Sequence, residues 1–245
     1  YKKMKVTVFV SSCILLFSVA CKKEDNLTTN YKSDFVKKEI NVISELDYSV
    51  ANLKEWQIKN DRIECLVSLK SRKINLLTRQ LGSKEGNLEM KVKLGFFNES
   101  ISSLNKNWAG FHIGSNSGFI NKNNGYKQGI NIGICTNGAL FIGAPSPNQV
   151  NKKIIKTLKN GVELKLLISN KLNRYTIDFS AIEIKTGKVL GRISKRNIAP
   201  EQIVGDVALI SNFENQDVNT TKATKSVWFK NWELKGTKVI KFHKN

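Results

Sequence analysis

Gly129–Gly143 reads GINIGICTNGALFIG, two apolar runs that meet at Asn137-Gly138. An Asn-Gly pair between apolar runs is the strongest short-range sign of a tight β-hairpin. Both central residues of such a turn need positive φ, which Asn and Gly adopt with least strain. The same logic extends outward. Glu55–Leu69, EWQIKNDRIECLVSL, alternates Trp56 and Ile58, breaks at Asn60-Asp61, and resumes with Ile63, Cys65, Val67 and Leu69. Period-two alternation is the mark of a strand with one buried face. Thr186-Gly187 in EIKTGKVLGRI predicts a further tight turn, and short runs such as INLLTRQL, NLEMKVKLGFF, WAGFHIGS, VELKLLISN, RYTIDFSAIEI, GDVALISNF and VWFKNWELKG follow one another between Gly, Asn and Lys-rich breaks. Three prolines in 245 residues and no long helical period complete the pattern. About a dozen short strands predict an antiparallel sandwich or barrel. Trp56, Phe141 and Trp228 alternate within their strands and are expected to be buried.

The beginning of the chain has a different composition. Val6–Ala20 is uncharged and follows Lys2, Lys3 and Lys5, the basic and apolar regions of an export signal. At about fifteen residues the run is too short to span a bilayer, which takes roughly 20. Ser18-Val19-Ala20-Cys21 resembles the lipobox of bacterial lipoproteins, in which cleavage before the cysteine leaves it N-terminal and acylated. Lys23, Glu24 and Asp25 resemble the export tag that directs Bacteroidetes lipoproteins to the outer face of the outer membrane. These resemblances imply a signal peptide over residues 1–20, acylation at Cys21 and a membrane partner reached through lipid. Residues 21–45 are polar and charged and are expected to form a flexible tether. The folded domain is expected over 46–240.

The formal charge is +20, and loss of residues 1–20 takes three lysines and no acid, leaving +17. A basic surface attracts polyanions such as acidic glycans. Only six of the 40 basic residues are Arg, the residue with the bidentate fork for phosphate and carboxylate. A compositional bias toward Lys, Asn and Ile therefore accounts for the charge as readily as a binding surface does, and no specific nucleic-acid partner is expected. Cys65 and Cys135 lie in apolar runs and are expected to be buried free thiols, with a disulfide, which an exported protein permits, as the alternative; neither belongs to a metal-like Cys-x-x-Cys pair.

The runs WQIKNDRIEC, AGFHIG with GINIGICTNGALFIG, and GDVALISNF with VWFKNWELKGTKV, in that order, resemble a concanavalin A-like (laminin G-like) jelly roll. They are similar above all to the sandwich that precedes the catalytic domain in some PhoD-like metallophosphatases of Bacteroidetes. The resemblance implies an all-β, antiparallel two-sheet jelly-roll sandwich. It does not carry phosphatase chemistry into this chain. A two-metal phosphoesterase needs several His and Asp ligands, and the only histidines are His112 and His243.

Other chemistries of such sandwiches also lack their parts. Glycosidases set two carboxylates across a sugar about 5–10 Å apart. Here Glu89 stands alone in NLEMKV, and Asp178 and Glu183, five positions apart, belong to opposite faces of a strand. Uronate lyases of this shape combine a carboxylate-neutralising Gln or Arg with a His and a Tyr. His112, Tyr126, Gln128 and Arg174 supply the types without a lyase motif. For glycan binding, Trp108, Phe119, Tyr126 and Trp232 are candidate stacking platforms, and the long polar loop Gly114–Gly129 carries two of them. Glu214, Asn215, Asp217 and Asn219 lack the spacing of a calcium loop, so calcium is not expected, nor is any other cofactor. The sequence thus favours a non-catalytic, surface-anchored module that binds carbohydrate, through Trp108, His112, Phe119, Tyr126 and Gln128. The alternatives are a jelly-roll lyase or hydrolase and an accessory subunit that binds another protein.

Overall fold

The computed structural model describes residues 30–33, 35, 47–97, 107–114, 129–145, 149–214 and 225–241. Cys21, Lys23, Glu24, Asp25, Phe119, Tyr126 and Gln128 lie outside the described residues. Period-two alternation builds two large antiparallel sheets. The eight-stranded sheet runs in the order β13 (Val189–Ile198), β12 (Arg174–Glu183), β11 (Val162–Lys171), β7 (Leu88–Phe96), β15 (Val227–Lys235), β4 (Arg62–Cys65) and β3 (Trp56–Lys59), with the short β1 (Tyr31–Lys32) also on β15. The six-stranded sheet runs β10 (Leu140–Ile142), β9 (Ile130–Cys135), β8 (Trp108–Ile113), β14 (Val207–Asn212), β5 (Arg72–Leu76) and β2 (Tyr48–Val50). β6 (Arg79–Leu81) and β16 (Val239–Lys241) form a separate ribbon. This is the all-β sandwich expected from the sequence.

The core lies between the two large sheets. Met90, Val92 and Leu94 from β7, Leu164 and Leu166 from β11, and Ile177 and Phe179 from β12 meet Phe111, Ile132, Ile134 and Leu209 of the opposite sheet. Phe111 and Phe179 pack edge to face across the interface, ring centres 6.5 Å apart. Trp56, Phe141 and Trp228 are buried as expected, but only Trp56 belongs to this inter-sheet core. Phe141 packs on the outward side of the six-stranded sheet with Trp108, Cys135, Ala139 and Ile210. Trp228 lies over Gly95, where an added Cβ would meet its ring at 2.6 Å, with the Arg62 guanidinium 5.1 Å from its centre. Cys65 and Cys135 are free and buried, and burial pushes the Cys135 thiol up to about 12.

The turns follow the sequence with one exchange. At Asn137-Gly138 only Gly138 has positive φ (79°), and its N–H donates to the Cys135 carbonyl at 2.9 Å. A type I turn followed by a left-handed glycine joins β9 to β10 there, so the expected pair of positive φ angles does not occur. That pair occurs instead at Asn60-Asp61 (54° and 56°) and at Leu172-Asn173 (51° and 59°), the two-residue turns of β3–β4 and β11–β12. The short helix α1 (Lys152–Leu158) follows β10, its first turn capped by the Asn151 side chain, which accepts from Lys153 and Ile154 N–H.

The expected tether of residues 21–45 needs a correction in its described part. Tyr31 and Lys32 pair with Leu234 and Glu233 of β15, on the flank that β4 leaves open beyond Trp228 and Phe229. An extra residue between Lys230 and Glu233, where Asn231 has φ 52°, bulges β15 and turns Trp232 inward. Tyr31 meets Trp232 edge-on, Tyr48 stacks on it at 6.0 Å, and Phe35 is buried against Tyr48. The Tyr31 and Tyr48 hydroxyls are hydrogen bonded to each other. These aromatic groups leave water only when the segment joins the sheet, so the folded unit reaches back to residue 30. Trp232 is core rather than a sugar platform.

Candidate functional site

The two large sheets present unlike outward faces, and that of the six-stranded sheet carries the sequence-predicted His112. The strand registers set Ser49, Asn75, Ala208, His112 and Asn131 in one line across five strands. The next line holds Lys73, Ile210, Gly110, Gly133 and Phe141. His112 is the polar member of this line on β8, a strand buried along its whole length, while Ser49, Asn75 and Asn131 are half-buried.

His112 is 7% exposed. Its Nδ1 lies 2.6 Å from the side-chain amide oxygen Oδ1 of Asn131, so Nδ1–H donates and Nε2 carries the lone pair. That Nε2 is buried without a hydrogen-bond partner among the described residues. Burial pulls the imidazole below its ordinary range and Lys73 adds to this, while Asn131 and Asp206 oppose it. The ring is therefore neutral at pH 7, an acceptor waiting for a donor. The Lys73 ammonium is likewise drawn down by burial and held up by Asp206, which accepts from Gln80 Nε2 at 2.8 Å. A neutral imidazole acceptor, side-chain amides, a serine hydroxyl and an ammonium group suit a ligand rich in hydroxyls, with or without a carboxylate.

The other sequence candidates fall elsewhere. Trp108 is 6% exposed and packs edge to face on Phe141 at 5.0 Å, so its ring faces are not open for stacking. Arg174 sits at the start of β12, in the other sheet from His112, and Tyr126 and Gln128 lie outside the described residues. Asp178 lies opposite Leu167 and Glu183 opposite Val162, on opposite faces as expected. Glu214 pairs with Lys70 at 2.9 Å, while Asn215, Asp217 and Asn219 lie outside the described residues. Sequence reasoning missed Ser49, Lys73, Asn75 and Asn131. The available signal was a polar residue at every second position of an otherwise apolar run, as in RKINL and INIGIC.

The outward face of the eight-stranded sheet is charged. Glu89 receives Lys91 and Lys235 at 3.1 Å and Lys165 at 3.3 Å, which together hold its carboxyl down to about 2 against the cost of burial. Near the sheet edge, the fully buried Glu64 accepts from Gln57 Nε2 (2.6 Å), Arg62 Nε (2.7 Å) and Lys225 Nζ (2.9 Å).

No protein-family model and no curated protein matches the chain. Solved structures do. Basic winged bean lectin with Tn-antigen aligns with a TM-score of 0.56 at 9% identity, covering 85% of this chain and 98% of the lectin. The alginate lyase Aly36B aligns at 0.54 and 8% identity over 89% and 99% of the two chains. Arcelin-5, a lectin-like defense protein from Phaseolus vulgaris, aligns at 0.52 and 11% identity over 85% and 99%. At such identities the likeness establishes architecture, and the architecture is the concanavalin A-like jelly-roll sandwich.

Proposed function

We propose that this protein is a non-catalytic carbohydrate-binding module, held at the outer surface of the outer membrane by acylated Cys21, and that it binds glycan on the outward face of the six-stranded sheet. One observation carries the reading: the buried, neutral His112 presents an unpartnered Nε2 within the line of Ser49, Asn75 and Asn131, with Lys73 on the neighbouring line. A buried acceptor without a partner costs about 1–3 kcal/mol, which a ligand hydroxyl would recover. The fold supports it by analogy, since it is shared with a lectin crystallised with Tn-antigen. The lipobox-like Ser18–Cys21 and the acidic tag at Lys23–Asp25 support the address.

Lyase activity is the second reading, favoured by the same neutral imidazole, which has a free lone pair for proton abstraction, and by the shared fold of an alginate lyase. One experiment separates the two. The mature chain, residues 21–245 with Cys21→Ala, is passed over immobilised neutral and acidic glycans while the ultraviolet absorbance of unsaturated uronate is followed. Retention without new absorbance, weakened about tenfold by His112→Ala, is the expected result. Absorbance that rises with the parent chain and vanishes in His112→Ala would establish the lyase instead. Absence of retention on any glycan favours the accessory subunit. Labelled palmitate is expected in the full chain and not in its Cys21→Ala form.

A further inference from the structure

The outward face of the eight-stranded sheet holds more positive charge than its own acids can neutralise. The registers set Lys165 directly opposite Lys91, whereas Lys93 stands between Lys230 on one side and Glu163 on the other, and Lys230 also has Asp61 at 3.8 Å. Like charges in direct cross-strand pairs are unfavourable. One carboxylate, Glu89, serves three ammonium groups, and Glu233 serves Lys32 at 3.3 Å. Those four lysines and two acids leave two units of positive charge around an open depression of about 270 Å³, whose wall includes Asn30, Tyr31 and Lys32. The chain therefore enters the fold at the rim of its lysine-rich depression.

That entry point fixes a distance. A tether running from residue 21 to 45 would reach about 80 Å, but Asn30 lies nine positions after Cys21, a span of at most about 30 Å. We propose that the lysine face around Glu89 docks on the anionic lipid headgroups of the membrane that carries the anchor, so that the domain lies against the bilayer with its six-stranded face turned away. The proposal rests on the acylation of Cys21 for its distance limit. The charge of the face stands independently of it.

The test again uses the mature chain with Cys21→Ala, so that no acyl chain contributes, sedimented with vesicles of phosphatidylcholine alone or mixed with phosphatidylglycerol. Cosedimentation is expected with the anionic vesicles only, and it should disappear at high salt. The triple variant Lys91→Gln, Lys165→Gln, Lys235→Gln is expected to bind about tenfold more weakly or worse. Lys152→Gln, Lys153→Gln, Lys156→Gln on the exposed side of α1 should bind as the parent does. Glu89→Gln adds one positive charge to the face and should tighten binding several-fold, a gain that misfolding cannot imitate. Equal sedimentation with neutral vesicles, equal loss in the α1 variant, absence of binding to either vesicle, or retention on a soluble polyuronate with vesicles unbound each overturns the proposal. A failure here leaves palmitate labelling at Cys21 and glycan retention through His112 untouched, so the readings fail separately.

Discussion

The two outward faces of the sandwich obey the same alternation and use it in opposite ways. On the six-stranded sheet the outward positions include His112, the half-buried Asn131, Asn75 and Lys73, and two glycines, and at His112 the polar group is withdrawn from water with an acceptor unpartnered. On the eight-stranded sheet they are long charged side chains, and every acid among Glu64, Glu89 and Glu233 already has a cation. Neutral polar groups out of water are costly until a ligand reaches them, which makes a face selective. Half-exposed lysines cost little and act through net charge, which makes a face attractive to polyanions without reading their shape. The contrast teaches that one sheet is built for contact and the other for approach.

The strongest challenge to this division is whether β1 truly completes the charged sheet. Phe35→Ala should destabilise the chain by about 3 kcal/mol, because it empties a buried aromatic site against Tyr48. Denaturant unfolding measures it. A change below about 1 kcal/mol would mean that the N-terminal segment contributes little and that the lysine face is not closed by it.

Two carboxylates of the charged face, one near the sheet edge and one at its centre, come next. Glu64 is fully buried, and its loss strands Arg62 and Lys225 beside Trp228 and Phe97. Glu64→Gln is expected to lose about 2–3 kcal/mol. Glu89 is partly exposed and its lysines can turn to solvent, so Glu89→Gln should lose under about 1 kcal/mol. Equal losses at the two positions would show that the face is a single structural network rather than an attractive surface around one structural ion pair.

Acid should separate the two faces by pH window. His112 sits below its unfolded value of 6.5, so below that pH the unfolded chain takes a proton that the folded chain refuses. Stability then falls as pH drops through 6.5 and is unaffected above it. Glu89 is held at about 2 from an unfolded 4.5, so its contribution is complete above pH 4.5 and is lost as pH falls toward 2. Stability measured against pH is expected to decline in two steps, the upper abolished in His112→Leu and the lower reduced in Glu89→Gln. An upper step that persists in His112→Leu would take the six-stranded face out of the account.

Much of this was legible in the sequence, and the failures share a cause. Alternation in NLEMKVKLGFF and RYTIDFSAIEI led directly to β7 and β12, because half-buried strands write their faces in period two. Trp232 and Trp108 were misread as platforms. A bulge at Asn231 turns the first inward, and the second is buried by contacts among β8, β9 and β10 that no local pattern records. Tyr31 and Phe35 sit among charged and polar residues, so local composition reads as tether while the gap on β15 that receives them is made by residues some 200 positions later. The line of Ser49, Asn75, His112 and Asn131 joins four strands of distant sequence, and only the registers bring it together.

The smallest effect expected sets the scale for the others, since it touches neither face. The two type I′ turns of the eight-stranded sheet differ in kind at the first position: Asn60-Asp61 uses two side chains that tolerate the left-handed region, whereas Leu172-Asn173 puts leucine at φ 51° with 89% of its surface in water. Left-handed backbone costs an ordinary L-residue about 1–2 kcal/mol, and asparagine less because its short polar side chain bonds locally. The exposed leucine has no burial to offset that strain. Leu172→Asn should therefore stabilise the protein by about 0.5–1 kcal/mol and leave glycan retention and vesicle binding as they were. Thermal unfolding reads the gain, a rise of about 1–3 °C for a chain of this size. Destabilisation would show that the β11–β12 turn relaxes to another geometry, and with it the register that sets Lys171 opposite Arg174 and Lys165 opposite Ser180.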